Sequence, residues 1–102
     1  MNNLPSESNI VIHSNFVILL VEDEPATRLI ISKILQRDGY KVIEAATGED
    51  AIKLYQKYLP DIVLLDAVLP GIDGFETCHL INKLPKALVA PVLMVTTLED
   101  SA

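Results

Sequence analysis

The chain has a single cysteine, Cys78, which excludes an internal disulfide and suits a reducing compartment. Basic residues are few: 8 Lys and Arg stand against 14 Asp and Glu, for a formal net charge of -6. That deficit argues against direct binding of nucleic acid, which needs a basic patch facing the phosphates. Long hydrophobic runs are missing as well. The longest, Phe16 to Val21, falls far short of the ~20 apolar residues that a membrane-spanning helix needs. No Lys or Arg precedes Arg28, so the charged start of a secretory signal peptide is absent. Together these absences predict a cytoplasmic protein with neither a membrane nor nucleic acid as its partner. What is present is a globular composition: 102 residues, 50% hydrophobic and 22% charged, enough for one domain with one core.

The stretch from Ile62 to Gly71 organises the rest. Four apolar residues, Ile62-Val63-Leu64-Leu65, run into Asp66, and the Pro70-Gly71 turn follows. A short all-apolar run bounded by turn signals reads as a strand buried on both faces, as in a parallel sheet. In open α/β sheets ligands bind beyond the carboxyl ends of the strands, which is where Asp66 would sit. Taken alone, Asp66 could equally be a turn cap.

Residues 1–15 are mostly polar and lack a period; they are expected to form a flexible leader. Ile10 to Ile12 could pack loosely, and His13 has no second metal ligand at a useful spacing. Phe16 to Val21 reads as a second buried strand and ends in Glu22-Asp23-Glu24, with Pro25 opening a helix. Ala26, Ile30 and Ile34, flanked by Ile31 and Leu35, predict its apolar stripe, and Asp38-Gly39 its end. Lys41 to Ala46 reads as a short strand. Thr47 to Asp50 resembles a capping box, and Ala51, Leu54, Tyr55 and Tyr58 give the next helix its buried face. After the Asp66 strand, Asp73 to Glu76 offers a second capping-box spacing, with Phe75, Cys78, Leu80 and Ile81 expected to face the core. Glu76 and His79 form a single E-x-x-H pair, a weak metal signal in an α/β chain. Pro91 to Val95 is a fourth apolar strand, ending on Thr96-Thr97. The order β-α-β-α-β-α-β predicts a parallel sheet with helices on both faces and right-handed crossovers.

Three strand ends thus carry polar residues that can converge: Glu22 and Asp23, Asp66, and Thr96. Carboxylates brought to about 4 Å repel by about 4 kcal/mol per pair at an effective dielectric near 20, so such a cluster calls for a proton or a cation. Hard oxygens suit Mg2+, which takes few protein ligands and keeps several waters. An Asp beside Mg2+ is a competent phosphoryl acceptor, and Thr96 could donate a hydrogen bond to a phosphoryl oxygen.

The pieces Leu19-Leu20-Val21-Glu22-Asp23-Glu24, Leu64-Leu65-Asp66 with Pro70-Gly71 and Asp73-Gly74, and Pro91 to Thr96 resemble the receiver domain of two-component response regulators, the CheY-like family. The resemblance spans residues 16 to 97. It implies a doubly wound, flavodoxin-like α/β fold with strand order 2-1-3-4 and a fifth strand beside strand 4. It implies that Asp66 accepts a phosphoryl group from a histidine kinase or phosphotransfer protein, with a downstream effector domain or protein as further partner. Asp23 and Asp66 would ligate Mg2+ directly, Glu22 through water, and Val68 through its backbone carbonyl. Thr96 would be the switch hydroxyl. Two departures accompany the resemblance. Thr97 stands where the family has a small Ala or Gly, and its bulk would slow access to the phosphoryl pocket. The family's last strand, with its Lys and its switch aromatic, has no counterpart, and neither Lys83 nor Lys86 replaces that Lys. Residues 16–102 are therefore expected to be a receiver domain incomplete at its C-terminus, a signalling phosphoacceptor rather than an enzyme. Two rival readings share the strand-end Asp: a Mg2+-dependent aspartyl-phosphate phosphatase, which commonly has a second acid where Val68 stands, and a receiver-like binding module that is never phosphorylated.

Overall fold

In the computed structural model, residues 15–85 and 90–95 are described. The leader as far as Ser14, with Ile10 to Ile12 and His13, lies outside them, as do Lys86, Thr96 and Thr97. The elements alternate: β1 (Val17–Val21), α1 (Pro25–Arg37), β2 (Lys41–Ala45), α2 (Gly48–Tyr58), β3 (Ile62–Asp66), α3 (Gly74–Asn82) and β4 (Val92–Val95). The strands form one parallel sheet in the order β2-β1-β3-β4. This is the predicted order, and among the described residues β4 is an edge. None of the described helices is long and apolar enough to cross a membrane.

Helices cover both faces. α2 and α3 pack on one side, where Ala51, Tyr55 and Ile81 join Leu19, Val21, Ala45, Val63 and Leu65 in a single core. α1 lies on the other side, over β1 and β2. β1, covered from both directions, is buried from Ile18 through Val21. Burying a Leu or Val side chain contributes about 1.5–3 kcal/mol, so the two central strands anchor the fold.

The helix ends follow local chemistry. Glu24 caps α1, its Oε1 accepting from the Thr27 N–H at 2.8 Å, and Pro25 takes the first helical position, where a missing N–H costs nothing. Gly39 follows the C-cap with φ 97, the left-handed conformation that suits glycine. Thr47 Oγ1 accepts from Asp50 N–H at 3.0 Å and Asp73 Oδ1 from Glu76 N–H at 2.9 Å, so both predicted caps form. α2 stops at Leu59, held at φ 47 with its N–H on the Tyr55 carbonyl, because Pro60 cannot continue the helix.

In four elements the expected face needs correction in part. In α1 the inward line is Arg28, Ile31, Ser32 and Leu35; Ala26, Ile30 and Ile34 face outward, Ile30 at 59% exposure. In α3 Ile81 is buried and Cys78 packs against the core as expected, but Phe75 is 68% exposed, and Gly74 and Thr77 complete the buried line. The cause is close approach. A Cβ at Gly74 would overlap the Asp66 carbonyl and Ala67 Cα, and one at Gly48 would overlap Thr77 Oγ1. The glycine-sized contact against β3 sets the rotational phase of α3, and Phe75 is turned away. In α2, Ala51 and Tyr55 are fully buried, Leu54 is half-buried and Tyr58 is exposed. Finally, among the described residues β4 packs on the core through Val92 and Met94, whereas Leu93 and Val95 are 54% and 50% exposed. α1 packs chiefly over β2 and β1.

Candidate functional site

The site forms where the two central strands end. Val21 pairs with Leu65, so Glu22 and Asp66, the next residues along, stand side by side at the carboxyl edge of the sheet. The Glu22 N–H donates to the Ala45 carbonyl at 3.0 Å, which carries the β1–β2 pairing one residue past the strand. On the other side Asp66 pairs with Val95, and the Ala67 N–H donates to the Val95 carbonyl at 3.1 Å. The Gly74 N–H donates to the Ala67 carbonyl at 3.1 Å, so the β3–α3 loop is pinned at both ends.

Glu22, Asp23 and Asp66 each present a carboxylate oxygen, and these oxygens all lie within 4.8 Å of one another. Asp66 is buried at 8% exposure, Glu22 half-buried and Asp23 exposed. Asp66 Oδ1 accepts from the Val68 N–H at 3.0 Å, which fixes the rotation of the carboxylate. Glu22 Oε2 accepts from the Glu24 N–H at 3.1 Å. Burial pushes the Glu22 carboxyl above its ordinary range. The Glu24 N–H opposes that rise, and the charges of Asp66 and Asp23 and a hydrogen bond with Asp66 add to it. Glu24 moves the other way, lowered by the Thr27 N–H and hydroxyl that it accepts from.

This donor set has the chemistry of a hard-cation site: oxygen only, anionic, open to solvent on the Asp23 side and closed on the Asp66 side. Of the predicted residues, Glu22, Asp23 and Asp66 are brought together, Val68 sits two residues beyond Asp66 with its side chain 71% exposed, and Thr96 lies outside the described residues. Glu76 and His79 do not join a metal-binding group among the described residues. Arg28 is the neighbour that the sequence pattern does not single out. Its Nη1 donates to the Glu22 carbonyl at 2.8 Å and approaches the Asp23 carbonyl at 3.4 Å, while Nε stands 3.5 Å from Glu44 Oε1. Its i+5 position after Asp23 places it on the first turn of α1, and only the helix phase brings it inward.

Comparison with known proteins bears on this arrangement. The chain is 41% identical over 83 residues to the transcriptional regulatory protein AfsQ1 of Streptomyces coelicolor, a match that covers 81% of this chain and 36% of that protein. The chain thus spans about a third of that relative's length. Among solved structures, the chemotaxis response regulator CheY4 of Vibrio cholerae superposes with a TM-score of 0.77 at 33% identity, covering 85% of this chain and 72% of that one. The response regulator TrrA of Thermotoga maritima, solved in complex with Mg(2+)-BeF, gives 0.73 at 37% identity over 79% of this chain and 69% of that one. The family model described as the response regulator receiver domain matches residues 18–102. With that match running from the first central strand onward, the chain belongs to the response regulator receiver domain family.

Proposed function

We propose that this chain is the phosphoacceptor module of a two-component phosphorelay and that Asp66 takes the phosphoryl group. The observation that carries the reading is the meeting of the Glu22, Asp23 and Asp66 carboxylate oxygens within 4.8 Å at the ends of two adjacent parallel strands. Three anions so close need a counter-charge, and a divalent cation there serves phosphoryl transfer directly. Asp23, Asp66 and the Val68 carbonyl would hold Mg2+, with Glu22 reaching it through water. When bound, Mg2+ neutralises the acceptor carboxylate and polarises the incoming phosphoryl oxygens.

The chain's own residues do the rest. A carboxylate oxygen of Asp66 attacks the phosphorus of a kinase phosphohistidine. The P–N bond breaks, the imidazole leaves with the bond pair and takes up a proton, and an aspartyl phosphate remains. The exposed side of the site around Asp23 admits the donor, and the Val68 N–H holds the acceptor carboxylate in place meanwhile. Thr96 supplies the hydroxyl that follows the phosphoryl group, and the new charge of about -1.5 to -2 drives the signal. A histidine kinase or phosphotransfer protein is the donor, and an effector domain or protein reads the result. No catalytic turnover of an outside substrate is required.

Incubation with acetyl phosphate and Mg2+, followed by intact mass measurement, tests this. The parent gains one phosphoryl group, labile to alkali, and Asp66→Asn gains none. Labelling of Asp66→Asn at another residue sinks the assignment, and steady release of phosphate by many turnovers per chain favours a phosphatase.

A further inference from the structure

We infer that Arg28 is a positioning residue for the cation site, gripping the main chain beneath Glu22 and Asp23 so that their carboxylates stay turned toward Asp66. The inference rests on the Mg2+ reading above and goes beyond it to a residue that touches neither metal nor phosphoryl group.

The β1–α1 loop is three consecutive acids, Glu22-Asp23-Glu24. Their mutual repulsion, together with that of Asp66, favours swinging the side chains out to water. The Glu22 N–H is tied to Ala45, and the Glu24 N–H to the Glu22 side chain. The carbonyls of Glu22 and Asp23 are met by Arg28, at 2.8 and 3.4 Å, and Glu44 on β2 braces the guanidinium from the side at 3.5 Å. The α1 phase that turns Ile30 and Ile34 outward is the one that brings Arg28 in with Ile31, Ser32 and Leu35. The nearby acids favour a cation at this position, yet that same charge opposes Mg2+, so charge alone does not give Arg28 a supporting role at the site. A planar fork does: it engages two carbonyls and a carboxylate at once, where a lysine ammonium is a point charge on a flexible stem. Groups that orient metal ligands typically change metal affinity by about 10–100-fold when removed.

The two accounts predict opposite signs. If Arg28 acted only through its charge, removing it would tighten Mg2+ binding. If it positions the loop, removing it loosens binding although the local charge becomes more favourable. Mg2+ titrations by calorimetry on the parent, Arg28→Met, Arg28→Lys and Asp23→Ala decide between them. The expected result is roughly 10-fold weaker binding in Arg28→Met, a smaller loss in Arg28→Lys, and altered amide signals at Glu24 and Thr27 in metal-free Arg28→Met. Unchanged or tighter binding in Arg28→Met overturns the inference. If Arg28→Met does not fold, Arg28→Lys carries the test, and parental affinity in that variant overturns it too. A parent that binds and an Asp23→Ala that does not, alongside an unaffected Arg28→Met, defeat the positioning role and leave the Mg2+ reading standing. A parent that binds no Mg2+ defeats both.

Discussion

Glu22 sits in the site at a cost that pH can reveal. Its carboxyl is raised above 4.5 by burial first and by its acidic neighbours after that. The folded state therefore holds the Glu22 proton more tightly than the unfolded chain does. The sign follows: this group's contribution is most favourable below the unfolded value and declines as pH rises from about 4.5 through the raised folded value. In metal-free buffer, the thermal stability of the parent relative to Glu22→Gln should fall as pH rises through that window. A difference that stays flat or rises would contradict the assignment of burial and repulsion at this residue. Asp23→Ala tests the same cluster from its exposed side. It removes one of three repelling charges, so the metal-free variant should unfold at or above the parental temperature. Its Mg2+ affinity should drop by more than the ~10-fold that loss of a supporting contact costs. The three acids were legible in the sequence because they follow two all-apolar runs, Phe16 to Val21 and Ile62 to Leu65, and such runs have to surface at the sheet's carboxyl edge. Arg28 was not, because its role depends on which way α1 is turned, and an apolar stripe at Ala26, Ile30 and Ile34 points to the opposite phase.

Among the elements, α3 shows what decides a helix's phase when the hydrophobic pattern is ambiguous. Phe75, Cys78, Leu80 and Ile81 offer more than one apolar line; the structure buries Ile81 and packs Cys78 on the core, but completes the inward face with Gly74 and Thr77 rather than Phe75. Gly74 permits the close approach to Asp66 and Ala67, and Thr77 closes the first turn by donating its hydroxyl to the Asp73 carbonyl at 2.8 Å. Two effects oppose each other in Gly74→Ala. Helix propensity favours alanine, by less than the ~1 kcal/mol of a helix interior because Gly74 is the first helical residue. Overlap with the end of β3 costs about 1–3 kcal/mol, because backbone atoms rather than a flexible side chain stand in the way. The overlap should win, and denaturant unfolding should show Gly74→Ala less stable than the parent. A net gain in stability would mean that the helix end is free to shift. The strands and the two predicted caps at Thr47 and Asp73 were readable because they depend on local sequence alone. The complete inward lines of α1 and α3, with Arg28 and Ser32 in one and Gly74 and Thr77 in the other, were not, because tertiary contacts choose among competing stripes.

At the level of the whole molecule, alternation of strands and helices was enough to predict a parallel sheet, and the receiver resemblance supplied its order, β2-β1-β3-β4. What the apolar run Val92 to Val95 could not reveal is that, among the described residues, only one of its faces packs on the core. Among the described residues β4 is the edge strand, and Leu93 and Val95 are half exposed on it, while α1 packs chiefly over β2 and β1. An exposed apolar edge strand is a template for association. The 102-residue chain should therefore self-associate with rising concentration, and Leu93→Lys, by placing a charge on that edge, should shift sedimentation toward monomer. Equal association in parent and variant would remove β4 as the contact. The central claim is that the three strand-end acids act as one cation site that phosphoryl transfer to Asp66 requires. The most direct measurement is the rate of Asp66 labelling by acetyl phosphate as a function of Mg2+ concentration, set beside the calorimetric binding curve of the same sample. The account predicts no labelling in chelator and a half-maximal rate at the Mg2+ concentration that half-fills the site. Labelling at an undiminished rate in chelator, or a rate that saturates independently of Mg2+ occupancy, would contradict it.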